Sequence, residues 1–319
     1  MKRNKRSEKK SKKKKLKVNK KQMKYFLTLL LGIIVILIRL IYGNVEITKT
    51  SKIVNKITAE ESQNVILEGE DILQIHFFDV GQADSILLIS NSETMLIDAG
   101  NNGDGGKIVN NIKSLGIEKL DYVIGTHPHE DHIGGLDDII SNFDIGKIYM
   151  PKVQTNTKTF EDVIDAIKKK DLKVTSPEIG HKFSVGNVEC EVMLCGVGTE
   201  EEKNNLNLSS IAIRARYKEQ SYLFMADAEK ENELSRDWLQ ANVLKVGHHG
   251  SDTSSSQEFL NQVLPQIAII SVGKDNKYGH PNNDTLNKLN NMGTLIYRTD
   301  EKGNILIESD GINNKVSFY

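Results

Sequence analysis

The sequence predicts an α/β protein in which two β-sheets pack face to face and are covered by helices. Two observations support this prediction. Short runs rich in β-branched and apolar residues recur from residue 71 to the C-terminus, and segments with helical periodicity separate many of them. Periodicity alone does not distinguish this arrangement from a single doubly wound sheet. At 319 residues, the chain can bury one large core or two small ones.

The N-terminus differs in composition from the rest of the chain. Residues 1–24 contain 14 of the 42 Lys and Arg residues and one acidic residue, Glu8. The remaining residues carry 28 basic and 42 acidic side chains, a net charge of −14. An acidic body of this kind opposes strong nonspecific binding of nucleic acid, which depends on Lys and Arg neutralising phosphates.

Residues 25–43 contain an almost unbroken apolar run of about the length that spans a bilayer as a helix. Arg39 is near its distal end, where the guanidinium can reach the interface. The positive-inside rule then predicts that residues 1–24 are a basic cytoplasmic tail and that the rest of the chain is extracellular. We therefore expect a single-pass protein of the cell membrane that contacts the membrane through this helix.

Two further expectations concern this region. An uncleaved signal anchor is favoured over a cleaved signal peptide, because no small-residue cleavage pattern follows in YGNVEITKT. Residues 44–70 are rich in Ser, Thr, Asn, Lys and Glu, so they predict a linker. Residues 71–319 are then the folded domain.

Strands and helices alternate within this domain. Three closely spaced apolar runs predict an initial meander, at 72–80, 84–90 and 94–100. The other predicted strands are 121–126, 208–217, 221–227, 242–247, 267–272, 294–299 and 304–309. The predicted helices are 106–115, 134–141, 159–170, 229–240, 256–263 and 283–291.

The two cysteines and two of the histidines are interpreted as structural. Cys190 and Cys195 are five positions apart on an apparent strand, so they face opposite sides and an unstrained disulfide between them is not expected. We expect two buried free thiols. His76 and His181 are outside every cluster of possible ligands and are interpreted as structural.

The stretch THPHEDHIGG, residues 126–135, concentrates metal-ligating side chains. His127 and His129 follow a predicted strand two positions apart, so they can point to the same side. Asp131 and His132 come from the turn that opens the next helix. Imidazole and carboxylate groups at this spacing favour two adjacent divalent ions. Helix-capping histidines or a structural metal are the alternatives, although structural zinc usually prefers cysteine.

Later strands also end in possible ligands. Asp227 ends the run SYLFMAD, His248 and His249 follow NVLKVG, and His280 is in the loop after IAIISV. Sites collect at the carboxyl ends of strands in α/β architectures. Six of the eight histidines fall in three such loops, which strengthens the prediction of one shared site.

These residues, taken in order, resemble a known family. The motifs are FFDVGQADSILL, MLIDAGNNGDGG, THPHEDHIGG, NLSS, FMADAE, LKVGHHGSDTS, SVGKDNKYGHP and YRTDEKG. Together they resemble the metallo-β-lactamase fold and, more narrowly, the metal-dependent domain of ComEC-type DNA-internalization competence proteins. The resemblance implies a four-layer αββα sandwich from about residue 72 to the C-terminus.

The resemblance also implies roles for the crowded stretch. His127 and His129 would bind the first metal, Asp131 and His132 the second, and Asp227 would bridge both. Two divalent cations at this place lower the pKa of water, so hydroxide is available at neutral pH. Asp131 could hold the proton of that water, which makes Asp131 and Asp227 the candidate catalytic residues. Zinc, manganese or iron would suit these ligands, with zinc or manganese expected.

The remaining roles implied by the resemblance concern five residues. His248 and His280 would be further ligands, and their division between the metals stays open. Asp98, at the end of a strand, would orient metal ligands. Many members of the superfamily place another histidine before the bridging aspartate. This chain has NLNLSSIAI there, so Asn207 and Ser210 are expected near the substrate.

The sequence therefore predicts a membrane-anchored extracellular metal-dependent hydrolase, a phosphodiesterase or nuclease related to the processing of competence DNA. The expected substrate is nucleic acid or another phosphodiester polymer. Hydrolysis of an envelope phosphodiester, or of a lactone or β-lactam, is the alternative among enzymes. A non-catalytic, metal-stabilised binding module of a DNA-uptake assembly is the alternative from another class.

Overall fold

The computed structural model describes residues 71–319. The cytoplasmic tail, transmembrane helix and linker predicted for residues 1–70 are outside the described residues. From residue 71 onward, no helix combines the length and the apolar character that a bilayer crossing needs.

The described residues contain fifteen strands, labelled in chain order. They are β1 Leu73–Phe77, β2 Ile86–Ser90, β3 Glu93–Ile97, β4 Lys119–Ile124, β5 Asp144–Tyr149, β6 Val174–Thr175, β7 Lys182–Val185, β8 Val188–Leu194, β9 Ala212–Tyr217, β10 Gln220–Phe224, β11 Val243–Lys245, β12 Ile267–Ile270, β13 Leu295–Arg298, β14 Ile305–Ser309 and β15 Asn314–Phe318.

Nine α-helices accompany these strands between residues 71 and 319. They are α1 Gly105–Ser114, α2 Glu130–Ile133, α3 Leu136–Asn142, α4 Lys158–Lys169, α5 Glu200–Asn204, α6 Lys230–Leu234, α7 Gln257–Val263, α8 Asn283–Met292 and α9 Thr299–Lys302.

The strands form two sheets, which excludes the single doubly wound alternative. One sheet has the order β15-β14-β1-β2-β3-β4-β5-β6, and the other has the order β13-β12-β11-β10-β9-β8-β7. Apolar side chains from both sheets share one core, which includes Phe77, Leu88, Ile213 and Phe224. This shared core confirms face-to-face packing.

Helices cover the outer face of each sheet. Ile112 of α1 and Leu136 of α3 join a second apolar cluster with Leu96 and Val123 of the first sheet. Helices α7 and α8 contribute to a third cluster on the second sheet, where Leu260 and Leu289 pack with Leu244 and other buried side chains. The four layers are therefore helix, sheet, sheet and helix, which confirms the predicted αββα sandwich.

Several predicted elements need correction. The helix expected at 229–240 ends at Leu234. Beyond it, Trp238 turns inward, donates its indole N–H to the carbonyl oxygen of Glu233 at 2.7 Å and packs edge-on against Phe259. The helix predicted at 134–141 corresponds to α3, which begins at Leu136, and a separate short helix, α2, precedes it. Strands β5, β6, β7 and β15 were not predicted, because polar or exposed residues interrupt their apolar pattern.

The prediction for the two cysteines is confirmed. Cys190 and Cys195 are free and buried, and burial raises the pKa of each thiol to about 12. The backbone passes closely at the two glycines that follow the histidine cluster. A Cβ atom on Gly135 would lie 2.5 Å from the carbonyl oxygen of Ala99, and one on Gly134 would collide with the backbone of Asn101.

Candidate metal centre

The candidate site is at the carboxyl ends of parallel strands from both sheets. Strands β3 and β4 are parallel in one sheet, and β10, β11 and β12 are parallel in the other. Each of these strands is followed by a loop that carries a predicted site residue. The chain therefore converges there because parallel neighbours end at the same edge.

The first pair of histidines is held through a buried hydrogen-bond chain. Thr126 donates its hydroxyl to Asp98 Oδ2 at 2.7 Å, and its Oγ is 3.1 Å from His127 Nδ1. His127 therefore carries its ring proton on Nδ1 and donates it to Thr126 Oγ1. The lone pair of Nε2 is left to face the cleft. His129 Nδ1 is 3.0 Å from that Nε2. Two nitrogen lone pairs thus face one small volume.

His132 is oriented by the same carboxylate. Its Nδ1 is 2.8 Å from Asp98 Oδ2, and both side chains are buried. Its Nε2 points to the other side, 3.2 Å from Asp227 Oδ2. Asp98 also accepts the backbone N–H of Thr126 at 2.8 Å. Asp98 therefore occupies the position from which it can orient His127 and His132 together, as an outer partner of metal-ligating histidines does.

The structure brings His249 into the cluster. Its Nδ1 donates to the carbonyl oxygen of Ser271 at 3.0 Å, and its Nε2 is 3.4 Å from Asp131 Oδ2 and 3.6 Å from Asp227 Oδ1. Asp131, His132, Asp227 and His249 each offer one ligand atom, and these four atoms lie within 4.8 Å of one another. Sequence reasoning placed His249 at a strand end but did not include it among the predicted ligands.

His248 faces a different part of the same site. Its Nε2 is 3.7 Å from Asp227 Oδ2, and its Nδ1 is 2.9 Å from Thr253 Oγ1 and 3.4 Å from Glu229 Oε1. Its side chain is 22 % exposed. The backbone at His248 and His249 has φ values of 48° and 51°, in the left-handed region, which sends the adjacent imidazoles to different places.

His280 lies at the rim of the cluster. Its ring centroid is 5.5 Å from that of His248, and its Nδ1 is 3.4 Å from Gln82 Nε2. Burial, followed by the positive charge of His248, lowers the pKa of His280 to about 4. His280 does not belong to the four-residue group around Asp227. Its ligand role stays a prediction.

The donor atoms suit divalent metal ions. His132 Nε2, His249 Nε2 and Asp227 Oδ1 are buried, and none has a hydrogen-bond partner outside the cluster. Buried polar atoms normally have hydrogen-bond partners. Because these three atoms face one common volume, a cation bound there would satisfy them. Neighbouring ligand atoms on one tetrahedral zinc ion lie about 3.3 Å apart. The closest donor atoms here are separated by 3.0 Å at His127–His129 and 3.2 Å at His132–Asp227.

Two overlapping ligand sets follow from these positions. His127 Nε2 and His129 Nδ1 would form the first set with Asp227 Oδ2, which is 3.9 Å from His127 Nε2. Asp131, His132 and His249 would form the second set with Asp227. Asp227 is common to both sets, which is the arrangement that a bridging carboxylate requires. The ligand assignments remain predictions, with His249 added by the geometry.

The charges of the cluster are set by burial and mutual pairing. Burial opposes ionisation of Asp227, but the imidazoles of His132 and His249 outweigh it and hold its pKa well below the usual range. Burial alone would lower the pKa of His132, yet Asp227, Asp98 and Asp131 raise it well above the usual value. Burial dominates at His127, whose pKa is lowered. Asp227 is therefore a carboxylate, ready to bind a cation.

A buried ion pair lies next to the cluster. Lys245 Nζ is 2.7 Å from Asp84 Oδ2, and the side chains are 0 % and 1 % exposed. Asp84 Oδ1 is also 3.5 Å from His249 Nδ1. Sequence reasoning did not identify this pair. The signal was a lysine in the middle of the apolar strand β11, because a lysine is almost never fully buried without a partner.

The two predicted substrate residues are buried beside His248. Asn207 is 6 % exposed and Ser210 is fully buried. Asn207 Nδ2 donates to Glu229 Oε1 at 3.0 Å and is 3.4 Å from His248 Nε2. Asn207 Oδ1 and Ser210 Oγ are buried without a hydrogen-bond partner. Their role in substrate binding stays a prediction, because neither belongs to the lining of the cleft.

Glu229 lies beside Asn207 and His248, and sequence reasoning did not identify it. Burial would raise its pKa, but hydrogen bonds from His248, Asn207, Asn205 and Thr253 lower it to about 2. It is therefore a carboxylate that holds His248 and Asn207 in place. Its position two residues after Asp227, at the end of the motif FMADAE, was the available signal.

The cluster opens into a cleft of about 580 Å³, within the usual range for ligand sites. Asp131 remains 31 % exposed there, whereas Asp227 is 3 % exposed. The lining residues are Gln82, Asn101, His129, Glu130, Asp131, Asp227, His248, His249, Asn276, Lys277, Tyr278 and His280.

Comparison with known proteins points to one family. The model of the metallo-beta-lactamase superfamily matches residues 78–274. ComE operon protein 3 of Bacillus subtilis is 31 % identical over 198 residues, which cover 61 % of this chain and 25 % of that protein. Recombination protein 2 of Haemophilus influenzae is 26 % identical over 241 residues, which cover 73 % of this chain and 28 % of that protein. The chain thus spans about a quarter of the length of these relatives.

A solved structure agrees at the level of fold. The metallo-beta-lactamase fold protein YhfI from Bacillus subtilis superposes with a TM-score of 0.52. The match covers 75 % of this chain and all of YhfI, at 13 % sequence identity. At that identity the likeness concerns the architecture alone.

Proposed function

Since this chain belongs to the metallo-beta-lactamase superfamily and has its metal-dependent hydrolase fold, we propose that it is a phosphodiesterase that cleaves nucleic acid. The observation that carries the proposal is the cluster around Asp227, where imidazole nitrogens and carboxylate oxygens converge without other partners. Relatives named for the ComE operon and for recombination support DNA as the substrate.

Each part of the cluster has a distinct task in this proposal. His127 and His129 would hold one cation, His132 and His249 would hold another, and Asp227 would contribute to both. Bound divalent cations supply Lewis-acid chemistry, lowering the pKa of water and offsetting negative charge on a phosphoryl oxygen. The residues of the chain would orient the metal ligands and accept the proton of the attacking water.

Asp131 is the residue placed to accept a proton from the attacking water. Its carboxylate is partly exposed to the cleft, with His249 Nε2 3.4 Å from Oδ2. Burial alone would raise its pKa, but the imidazoles of His132 and His249 lower it below the usual range. Asp131 is thus ionised at neutral pH, so its carboxylate can accept a hydrogen bond from water in the cleft. The buried Asp98 holds His127 and His132 in the tautomer that directs Nε2 to the cleft.

The proposal includes the cellular arrangement expected from the sequence. Residues 25–43 would anchor the chain in the membrane, and the hydrolase domain would lie outside it. The basic tail and the apolar run support this arrangement. The acidic charge of the body favours contact with the substrate at the cleft instead of over a broad surface.

The test is hydrolysis by the full-length chain loaded separately with zinc and with manganese. The substrates are single-stranded DNA, double-stranded DNA and bis(p-nitrophenyl) phosphate, with a chromogenic β-lactam for comparison. We expect cleavage of DNA that is lost in His129→Ala. Cleavage of bis(p-nitrophenyl) phosphate without DNA cleavage would shift the assignment to an envelope phosphodiester. Metal binding without hydrolysis of any substrate would contradict an enzymatic function.

A further inference from the structure

An exposed aromatic ring stands at the mouth of the cleft. Tyr278 is 59 % exposed, yet it lines the same cleft as Asp131 and Asp227. Among the described residues, the other exposed aromatic side chain is Tyr319, which is 56 % exposed and is not part of the cleft lining. Tyr278 differs from Tyr319 in its position, because it is exposed within the cleft that the predicted metal ligands line.

The loop that presents Tyr278 is ordered by its own hydrogen bonds. Asn276 Nδ2 donates to the carbonyl oxygens of Gly273 and His280 at 2.9 and 2.6 Å. Asn276 Oδ1 accepts the backbone N–H groups of Tyr278 and His280, both at 3.1 Å. One side chain thus closes the loop at both ends. A ring held in this way loses little conformational freedom when a ligand packs on it.

The surroundings of the ring combine aromatic and cationic groups. The Tyr278 ring stacks with His280, with centroids 5.7 Å apart and an angle of 26° between the planes. Lys277 Nζ is 5.1 Å from the Tyr278 centroid, and Lys277 is exposed. An exposed lysine is flexible, so a ligand packing on the ring can displace its ammonium toward an adjacent negative charge.

These features match what unpaired nucleotides require. Proteins that bind single strands stack bases on aromatic side chains and place basic groups along the backbone. A duplex does not offer its base faces in this way, because each base is stacked on its neighbours. Stacking on Tyr278 would therefore select a single strand without selecting its sequence, since every base has an aromatic face.

We propose that Tyr278 is a base-stacking subsite for single-stranded nucleic acid, with Lys277 contacting the neighbouring phosphate. This inference rests on the proposed phosphodiesterase function and names the form of its substrate. A base on Tyr278 places its own phosphodiester chain along a cleft that leads to Asp131 and Asp227. Tyr278 then acts in binding, and Asp131 acts at the reacting phosphate.

The test compares strands that differ in their bases alone. Short oligothymidylate and an abasic strand of the same length carry the same phosphates, so their difference reports base contacts. The measured quantities are KM for cleavage by the metal-loaded full-length chain and Kd from fluorescence anisotropy. Phosphorothioate-linked strands, which resist hydrolysis, serve for the Kd measurement.

The wild-type chain should bind the base-bearing strand more tightly than the abasic strand, by roughly 5- to 150-fold in Kd and in KM. Tyr278→Ala should bring this ratio close to one, and Tyr278→Phe should retain most of it because the ring stays. Lys277→Gln should weaken both strands equally, as loss of a phosphate contact does. Tyr319→Ala, which removes the exposed tyrosine outside the cleft, should keep the wild-type ratio.

The possible failures are distinguishable. Equal wild-type affinity for base-bearing and abasic strands, or a ratio that survives Tyr278→Ala, would overturn the stacking subsite even if DNA is cleaved. Absence of cleavage with every strand would overturn the proposed phosphodiesterase function. In that case the Kd ratio still decides whether Tyr278 stacks on bases.

Discussion

Replacing Asp98 with asparagine should weaken metal binding without touching any residue that faces the cleft. The Asp98 carboxylate is surrounded by three donors, the backbone N–H and the hydroxyl of Thr126 and the Nδ1–H of His132, at 2.7 to 2.8 Å. Both carboxylate oxygens accept. An amide offers one accepting oxygen, so at least one buried donor of the three faces the amide NH₂ in Asp98→Asn.

The size of the effect follows from that lost pairing. A buried donor without a partner costs about 1–3 kcal/mol. Loss of an outer partner of a metal-ligating histidine usually lowers metal affinity by about 10- to 100-fold, which is a similar free energy. We therefore expect Asp98→Asn to raise the Kd for zinc or manganese by about 10- to 100-fold.

The assay is competition between the full-length chain and a chromophoric chelator. Asp121→Asn is the matched control, because Asp121 is on β4 away from the cluster, where its Oδ2 accepts the backbone N–H of Thr94 at 3.0 Å. Unchanged metal affinity in Asp98→Asn, or an equal loss in both variants, would refute the orienting role of Asp98.

Three other predictions concern the second ligand set, the buried ion pair and pH. His249→Ala should lower the metal content, measured by elemental analysis, from two ions per chain to about one. His248→Ala should bind more metal per chain than His249→Ala does. A lower metal content in His248→Ala than in His249→Ala would contradict the geometry. Lys245→Met should lower the free energy of unfolding in urea by about 3–5 kcal/mol, because Asp84 loses its buried partner. The double variant with Asp84→Asn should recover part of that loss, and simple additivity would argue against the pair. Burial lowers the pKa of His76 to about 4, from about 6.5 in an unfolded chain. The unfolded chain therefore binds more protons between these values, and the free energy of unfolding should decrease by up to about 3 kcal/mol as the pH falls through this window. His76→Phe should lack this component in urea titrations, and an unchanged pH dependence would contradict it.

The sequence predicted the site best where ligands are local. His127, His129, Asp131 and His132 come from one short stretch, so strand and helix periodicity were enough to predict that they converge. Asp227 was also predicted from its place at the end of an apolar strand. The structure brings all five side chains together.

Sequence periodicity could not decide whether His248 or His249 joins the ligand cluster around Asp227. These adjacent residues have left-handed backbone conformations, so neither strand nor helix spacing predicts where their side chains point. Asp84 and Lys245 meet across the two sheets, and a pairing of that kind depends on how the sheets pack. Tyr278 could be placed on a loop from its sequence, but its exposure at the cleft depends on how Asn276 folds that loop.

The division into two sheets was similarly nonlocal. β1 pairs with β2, its neighbour in the chain, but also with β14 near the C-terminus. Local patterns predicted all three strands without determining this pairing. Strand β6 has two residues, both exposed, and carries too short a pattern for prediction.

The central claim is that Asp227 joins two cation sites. Anomalous X-ray diffraction from crystals of the chain loaded with zinc or manganese, collected at the absorption edge of the metal, tests it most directly. We expect two peaks, one beside His127 and His129 and one beside His132 and His249, with Asp227 between them. A single peak, or peaks away from Asp227, would contradict the account.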